Sequence, residues 1–265
     1  MASILKKILT QTRDEISRCK KKVSVKDFNA FEEYHRPRRD FRGSLLRDGS
    51  VSVIAEVKKA SPSKGIIRND YNPVLLAHDY QNYGASAISV LTDTPFFKGA
   101  LSHLQEVSAI SRIPVLRKDF IVDFYQIEEA RAWGADAILL IAKITDGQQL
   151  TELHAAAEET GLQVLVECYD EVDFARLDFS FVSIAGVNNR NLDTFEVDLH
   201  RGVELLSRTP DDVLRVSESG LTKPEDLLFL KENNIHSALI GEHFMRQDEP
   251  GKEVQRIREL VTMNS

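Results

Sequence analysis

From residue 51 onward, eight short apolar runs alternate with longer amphipathic segments. The runs are rich in aliphatic and β-branched residues, as buried strands are, whereas the segments between them carry one apolar stripe at helical spacing. Strict alternation of strand and helix predicts a parallel sheet, and eight repeats predict an α/β fold closed into a (β/α)8 TIM barrel. The predicted strands are residues 51–57, 85–91, 113–116, 137–142, 163–168, 181–187, 213–217 and 237–240.

Two of the intervening segments are followed by a glycine, as helices often are where they end before a strand. Gly84 and Gly134 follow them, and glycine often closes a helix in a left-handed conformation. A doubly wound open sheet is the alternative architecture, but no glycine fingerprint for a dinucleotide follows the first run. The predicted helices are residues 73–83, 101–111, 125–133, 147–160 and 224–233.

The first 48 residues have helical periodicity without strand-like runs. They predict an N-terminal helical extension (1–48) whose apolar stripe needs a partner surface, followed by a barrel (49–265), with one domain overall. An apolar stripe through Leu5 and Ile8 predicts a first helix, and Ser24 with Asp27 resembles the cap of a second. Because the chain is acidic, the arginine-rich stretch 35–47 is expected to be a solvated connector rather than a site for an anion or nucleic acid. The tail after residue 247 is expected to pack beside the first strand.

Charge and cysteine content limit the classes of partner. The chain has 265 residues, with 34 Lys and Arg against 41 Asp and Glu, and a net charge of −7. This balance recruits neither nucleic acid nor an acidic membrane surface. Cys19 and Cys168 have no metal-ligand spacing and predict no disulfide framework. Because no apolar run approaches the roughly 20 residues of a membrane span, we expect a cytoplasmic protein.

The stretch 51–65 joins a strand pattern to charged groups that an ordinary core would not accept. Side chains two residues apart on a strand share a face, so Glu56 and Lys58 should both point into the barrel. Lys59 and Lys64 are expected to be solvated. A structural salt bridge at a sheet edge would explain Glu56 and Lys58 by themselves. The residues at the other strand ends therefore decide whether the pair belongs to a functional site.

Polar residues also follow five of the other predicted strands, at the barrel end where active sites form. Each could have an ordinary structural explanation alone. Together they bring two lysines, an arginine and three carboxylates to one mouth, a cluster that is costly to desolvate without a ligand. The strand-end residues are Glu56, Lys58, Ser61, Lys118, Glu167, Asn188, Arg190, Glu218, Ser219, Gly220 and Gly241.

Glycine-containing loops, SESG and LIGE, follow the last two strands. Barrels often form a phosphate site there from loop N–H groups. Gly220 or Gly241 alone could be a simple turn residue. Their pairing on adjacent strands favours phosphate binding.

In their order along the chain, these motifs resemble those of the indole-3-glycerol phosphate synthases. The resemblance covers residues 45–245 and is most specific in ExKxxSPS, PVLRKDF and NNRNL. It implies that 1-(2-carboxyphenylamino)-1-deoxyribulose 5-phosphate closes a ring and loses carbon dioxide and water, a step of tryptophan biosynthesis. It also implies that the N-terminal helical extension covers the catalytic face of the barrel, and it implies no cofactor and no metal. The matching motifs are AEVKKASPSKG, SVLTD with FFKG, PVLRKDF, GADAILLIAKI, LVEC, GVNNRNL, SESGL and LIGE.

The resemblance implies roles for the charged groups. Lys118 corresponds to the general acid and Glu167 to the general base, while the assignment of each lysine to a particular oxygen stays open. We expect burial among other cations to lower the pKa of Lys118 toward the working range. The remaining catalytic positions implied are Glu56, Lys58, Asn188 and Ser219.

Binding positions are implied in the same way. Ser61 and Arg190 resemble the groups that receive the substrate carboxylate, and Glu218 belongs to the same substrate-binding set. Glu242 stands where some relatives have serine, so a phosphate contact there would come from backbone N–H groups. The implied apolar wall consists of Phe97, Phe120, Leu139, Ile141 and Leu192, and the implied phosphate site of Lys58, Gly220, Ile240, Gly241 and Glu242.

Two other functions remain open on the residues alone. Another phosphate-binding barrel enzyme, such as phosphoribosylanthranilate isomerase, would need a cysteine and an aspartate as its acid–base pair, where the first strand here offers Glu56 and Lys58. A non-catalytic phosphosugar-binding barrel would not need Lys118 and Glu167. In each case we expect a small phosphosugar ligand and a monomer.

Overall fold

The computed structural model describes residues 4–46, 50–191 and 194–263. Eight parallel strands close into a barrel in which the first strand pairs with both the second and the eighth. All eight predicted runs are confirmed as strands, and the open-sheet alternative is wrong. The strands are β1 Ser52–Val57, β2 Ala87–Leu91, β3 Val115–Lys118, β4 Ala137–Ile141, β5 Gln163–Cys168, β6 Ile184–Asn188, β7 Leu214–Glu218 and β8 Ser237–Ile240.

Alternate residues of each strand pack in two separate apolar clusters. In β1, Val53 and Val57 belong to the layer between strands and helices, whereas Ile54 belongs to the cluster inside the barrel. Glu56 has the same parity as Ile54, so it faces the interior. The sequence pattern thus carries its charged residues to the inside of the barrel mouth.

Helices follow the strands with the predicted boundaries to within one residue for the five longer segments. Gly84 and Gly134 have φ values of 92° and 87°, the left-handed conformation expected after a helix end. A small antiparallel hairpin, Ala60–Ser61 with Gly65–Ile66, projects from the loop after β1. The helices are α1 Ile4–Lys20, α2 Phe41–Leu45, α3 Pro73–Asn82, α4 Thr94–Phe97, α5 Leu101–Ile110, α6 Phe124–Ala132, α7 Gly147–Glu159, α8 Glu171–Phe174, α9 Leu199–Leu206, α10 Pro224–Glu232, α11 Glu242–Met245 and α12 Pro250–Met263.

The N-terminal extension reaches from one end of the barrel to the other. Helix α1 lies over the mouth, where Leu5 and Ile8 line the central cavity. The predicted second helix is a pair of 3-10 turns, Val25–Ala30 and Glu32–His35, which pack on α6. Helix α2 then buries Phe41 completely against the barrel interior cluster.

Over residues 35–46 the arginine-rich stretch is not a solvated connector, so that expectation is wrong there, and Arg47 lies outside the described residues. The side chains of Arg36 and Arg39 are only 21% and 20% exposed, and both pair with Asp136, at 2.9 and 2.8 Å. Asp136 is completely buried and also accepts hydrogen bonds from the N–H groups of Arg39 and Val115. Arg36, Arg39 and Asp136 therefore form a clasp, an ion-pair cluster that holds the N-terminal extension against the barrel.

The C-terminal tail packs beside the first strand, as predicted, because its helix α12 contacts β1 and α3. The predicted domain boundary at 48/49 lies outside the described residues. Within 4–46, 50–191 and 194–263, no helix combines the length and apolar character needed to cross a bilayer.

Candidate active site

A cavity of about 410 Å³ opens at the C-terminal ends of the strands, beneath α1. It gathers most of the residues that the sequence predicted for the site. Glu218 does not line it and is 1% exposed, and Leu192 lies outside the described residues. The predicted residues that line the cavity are Glu56, Lys58, Ser61, Phe97, Lys118, Phe120, Leu139, Ile141, Glu167, Asn188, Arg190, Ser219, Gly220, Ile240, Gly241 and Glu242.

Glu56 and Lys58 form a close ion pair at the end of β1. The glutamate side chain is 3% exposed and the lysine side chain 17%. A Cβ added at Gly241 would collide with the carboxylate of Glu56. Gly241 is therefore a packing requirement of the charged pair as well as a loop residue.

Lys118, at the end of β3, stands between two carboxylates, one from β5, two strands along the barrel, and one from β7, on the opposite side. Its Nζ is 3.5 Å from Glu167 of β5 and 3.3 Å from Glu218 of β7. The preceding residue, Arg117, points outward instead and is bound by Asp119 and by Glu129 of α6. Strand parity thus separates the lysine of the cavity from an arginine that anchors a helix.

The pKa of Lys118 is raised, so the expectation of a lowered value is wrong. Burial is the largest single influence and lowers the pKa, as expected, but the neighbours are carboxylates rather than cations. Glu218, Glu167 and Glu56 together outweigh burial. Lys118 is accordingly an ammonium group with a proton to give.

Glu218 is the most deeply buried carboxylate of the cluster. Burial and the nearby charge of Glu167 raise its pKa to about 8, although Lys118 acts in the opposite direction. Its side chain lies against Gly186 of β6, where no larger residue fits, because a Cβ at that position would collide with the carboxylate of Glu218. At neutral pH, Glu218 therefore holds its proton for most of the time.

Asn188 is the last residue of β6 and Asn189 follows it, and their side chains bind different parts of the structure. Asn188 donates to Glu167 at 3.4 Å and lines the cavity. Asn189 is completely buried and donates to Ser217 Oγ at 2.9 Å and to the carbonyl of Ser219 at 3.0 Å. It thereby holds the loop after β7, where Ser219 has a φ of 69°.

The other side of the cavity is apolar. The rings of Phe97 and Phe120 lie 6.1 Å apart, centroid to centroid. Leu139 and Ile141 are 2% and 6% exposed and belong to the cluster inside the barrel, as their spacing on β4 predicted. A flat aromatic ligand could thus lie between this wall and the charged residues, with Ile8 of α1 above it.

Comparisons with known proteins agree with this geometry. The family model described as indole-3-glycerol phosphate synthase matches residues 5–257. The chain belongs to the indole-3-glycerol phosphate synthase family. It is 46% identical over 257 residues to the indole-3-glycerol phosphate synthase of Salinibacter ruber, covering 97% of this chain and 95% of that protein. It is 44% identical over 260 residues to the Neisseria meningitidis enzyme of the same name, covering 97% and 100%.

The solved structures show the same fold at low identity. Thiamine phosphate pyrophosphorylase from Pyrococcus furiosus superposes with a TM-score of 0.60 at 11% identity, over 81% of this chain and 97% of that one. The family's motifs, rather than its fold, therefore distinguish this chain from other barrels.

Several residues of the synthase cavity escaped prediction, among them Asp119, Phe195 and Arg246. Asp119 lines it and accepts hydrogen bonds from Arg117, Thr92 and the N–H of Phe120. Arg246 and Phe195 line it too. Asp119 stands inside the PVLRKDF motif, so the motif itself was the available signal, whereas Arg246 lies just beyond the resemblance, which ends at residue 245.

The two lysines that were expected to be solvated differ. Lys64 is exposed at the rim of the cavity. Lys59 is half-buried, with its ammonium 5.8 Å from the ring centre of Tyr71. The expectation holds for Lys64 and is wrong for Lys59, because a ring from a later loop covers it.

Proposed function

We propose that Lys118 is the general acid and Glu167 the general base of a synthase that converts 1-(2-carboxyphenylamino)-1-deoxyribulose 5-phosphate to indole-3-glycerol phosphate. The observation that carries this proposal is the ammonium of Lys118, held between Glu167 and Glu218 below an apolar wall. One side of the cavity can thus handle protons while the other holds an aromatic ring.

Ring closure joins the aromatic carbon that bears the carboxylate to the carbonyl carbon of the sugar chain. The carbonyl oxygen becomes an alkoxide, which needs a proton. An alkoxide is much more basic than an amine, so an ammonium can protonate it even when the pKa of Lys118 is raised. Exclusion of water by Phe97, Phe120 and Ile8 strengthens the attraction between the two charges.

Loss of carbon dioxide then restores the aromatic ring, since the electron pair of the broken bond returns to it. Loss of the new hydroxyl as water needs a second proton and the removal of one from the pyrroline ring. Glu167 serves as the base for that removal. Glu56 and Lys58 complete the charged set, and either lysine can serve the departing hydroxyl.

The two anionic ends of the substrate need separate holders. We assign the carboxylate to Ser61 and Arg190, and the phosphate to Lys58 with the backbone of Gly220 and Gly241. All of these residues line the same cavity. In this arrangement Asn188 and Ser219 hydrogen-bond the sugar chain, and the loop of Ile240 and Glu242 closes the phosphate end.

The reaction is tested by mixing the purified protein with the carboxyphenylamino-deoxyribulose phosphate. We expect indole fluorescence and carbon dioxide to appear in equal amounts. Conversion of phosphoribosylanthranilate instead would favour the isomerase, and binding without any product would favour a phosphosugar-binding barrel. Either result would contradict the proposal.

We also propose that the chain acts as a monomer in the cytoplasm, without nucleic acid or membrane as partner. Two observations support this. One chain supplies every charged group assigned above, and Cys19 and Cys168 are free thiols. Sedimentation as a dimer, with lower activity on dilution, would contradict the monomer.

A further inference from the structure

The phosphate end of the cavity already contains an anion. Glu242 follows Gly241 and lines the cavity with a side chain that is 27% exposed. Its Oε1 accepts hydrogen bonds from Arg246 Nε and Nη2 at 3.1 and 3.0 Å. Its Oε2 lies 3.6 Å from Arg190 Nη2. A carboxylate at this place should repel a phosphate dianion.

Arg190 cannot fully bind the substrate carboxylate and the carboxylate of Glu242 at the same time. If its guanidinium turns to the substrate carboxylate, Glu242 loses one of its two cations at the moment when the phosphate arrives. Arg246 is then the cation that stays, because it binds Glu242 through two donors of one fork. It lines the same cavity and leaves Arg190 free to move.

We propose that Arg246 is a specificity-determining residue that neutralises Glu242 and so allows the substrate phosphate to bind beside Gly220 and Gly241. This inference rests on the proposed function for the identity of the phosphate ligand. Arg246 acts through Glu242, so its removal harms binding by uncovering a negative charge. Removal of that charge restores binding.

The ordinary alternative is a surface pair four residues apart on a helix, which contributes little. Arg246 is 51% exposed, which agrees with either interpretation. The two differ in what they predict for ligand binding. A surface pair has no reason to affect the Michaelis constant, whereas a charge-balancing residue affects it in a way that depends on Glu242.

The test compares wild type with Arg246→Ala, Glu242→Gln and the double variant at low ionic strength. Steady-state kinetics give KM and kcat, and calorimetric titration gives the affinity for inorganic phosphate. We expect Arg246→Ala to raise KM about tenfold and to weaken phosphate binding similarly, with a smaller effect on kcat. The double variant should return to within about threefold of wild type. Arg208→Ala, which removes an equally exposed arginine from its pair with Glu171, is the control.

An unchanged KM in Arg246→Ala would overturn the proposal. So would a double variant as weak as Arg246→Ala, because Arg246 would then contact the phosphate directly. If wild type failed to turn over the substrate, the proposed function would fall. The phosphate titrations of the four proteins would still decide the role of Arg246.

Discussion

The carboxylate of Glu218 lies 3.3 Å from the ammonium of Lys118. The glutamate is 1% exposed and does not line the cavity, whereas the lysine does. The raised pKa of each group follows from this arrangement, because burial favours a neutral Glu218 while the surrounding carboxylates favour a charged Lys118. The charge of the cluster should therefore change near neutral pH.

Glu218→Gln should flatten the dependence of stability on pH. The pKa of Glu218 is raised in the folded protein to about 8 from an ordinary value of 4.5. The folded state thus holds the proton more tightly, and its stabilising effect is complete below about pH 4.5 and lost as the pH rises through 8. The slope for one such proton is at most about 1.4 kcal/mol per pH unit.

Urea unfolding of both proteins at several pH values between 5 and 9 measures this effect. Wild type should lose free energy of unfolding more steeply than Glu218→Gln over this range. Parallel curves would show that Glu218 is already ionised in the folded protein.

Gly186→Ala should displace Glu218, because the new Cβ would collide with its Oε1 and approach Leu165. Overpacking of this kind costs about 1–3 kcal/mol of folding free energy. We expect that loss in urea unfolding, together with a lower kcat. Gly147→Ala is the matched control, since no atom lies within 4 Å of the position of its Cβ. Equal stability of the two variants would refute the close packing of Glu218.

Asp136→Ala should release the clasp that holds the N-terminal extension. The buried carboxylate accepts from two arginines and two backbone N–H groups, so its removal leaves buried donors unpaired. Breaking a buried ion pair costs about 3–5 kcal/mol. Urea unfolding should show a loss of this size, and a loss below about 1 kcal/mol would mean that the arginines find solvent instead.

The fold was predictable because it depends on two local features of the sequence, the apolar runs and the alternation of side chains along each strand. The eight strands follow from apolar runs, and the inward direction of Glu56 follows from its distance of two residues from Ile54. The motifs also identified most of the cavity lining. Positions such as Phe97 and Phe120 needed the resemblance to a family, since their spacing alone has many explanations.

The failures share a physical cause, which is that the partner of a charged residue comes from elsewhere in the chain. Lys118 was expected among cations, but its neighbours are Glu167 and Glu218, from two later strands of the barrel. Arg36 looked solvated until the fold brought Asp136 to it. A sequence shows the charge of a side chain, and only the structure shows which opposite charge it meets.

Single-turnover formation of indole-3-glycerol phosphate by Lys118→Ala and Glu167→Gln tests the central claim most directly. The measurement follows product fluorescence with enzyme in excess, so that product release does not limit the rate. Lys252→Ala, which removes an exposed lysine of α12, is the control and should match wild type. We predict that each of the two site variants forms product at least ~10²-fold more slowly than wild type. Near-normal rates in both variants would contradict the assignment of Lys118 and Glu167 as acid and base.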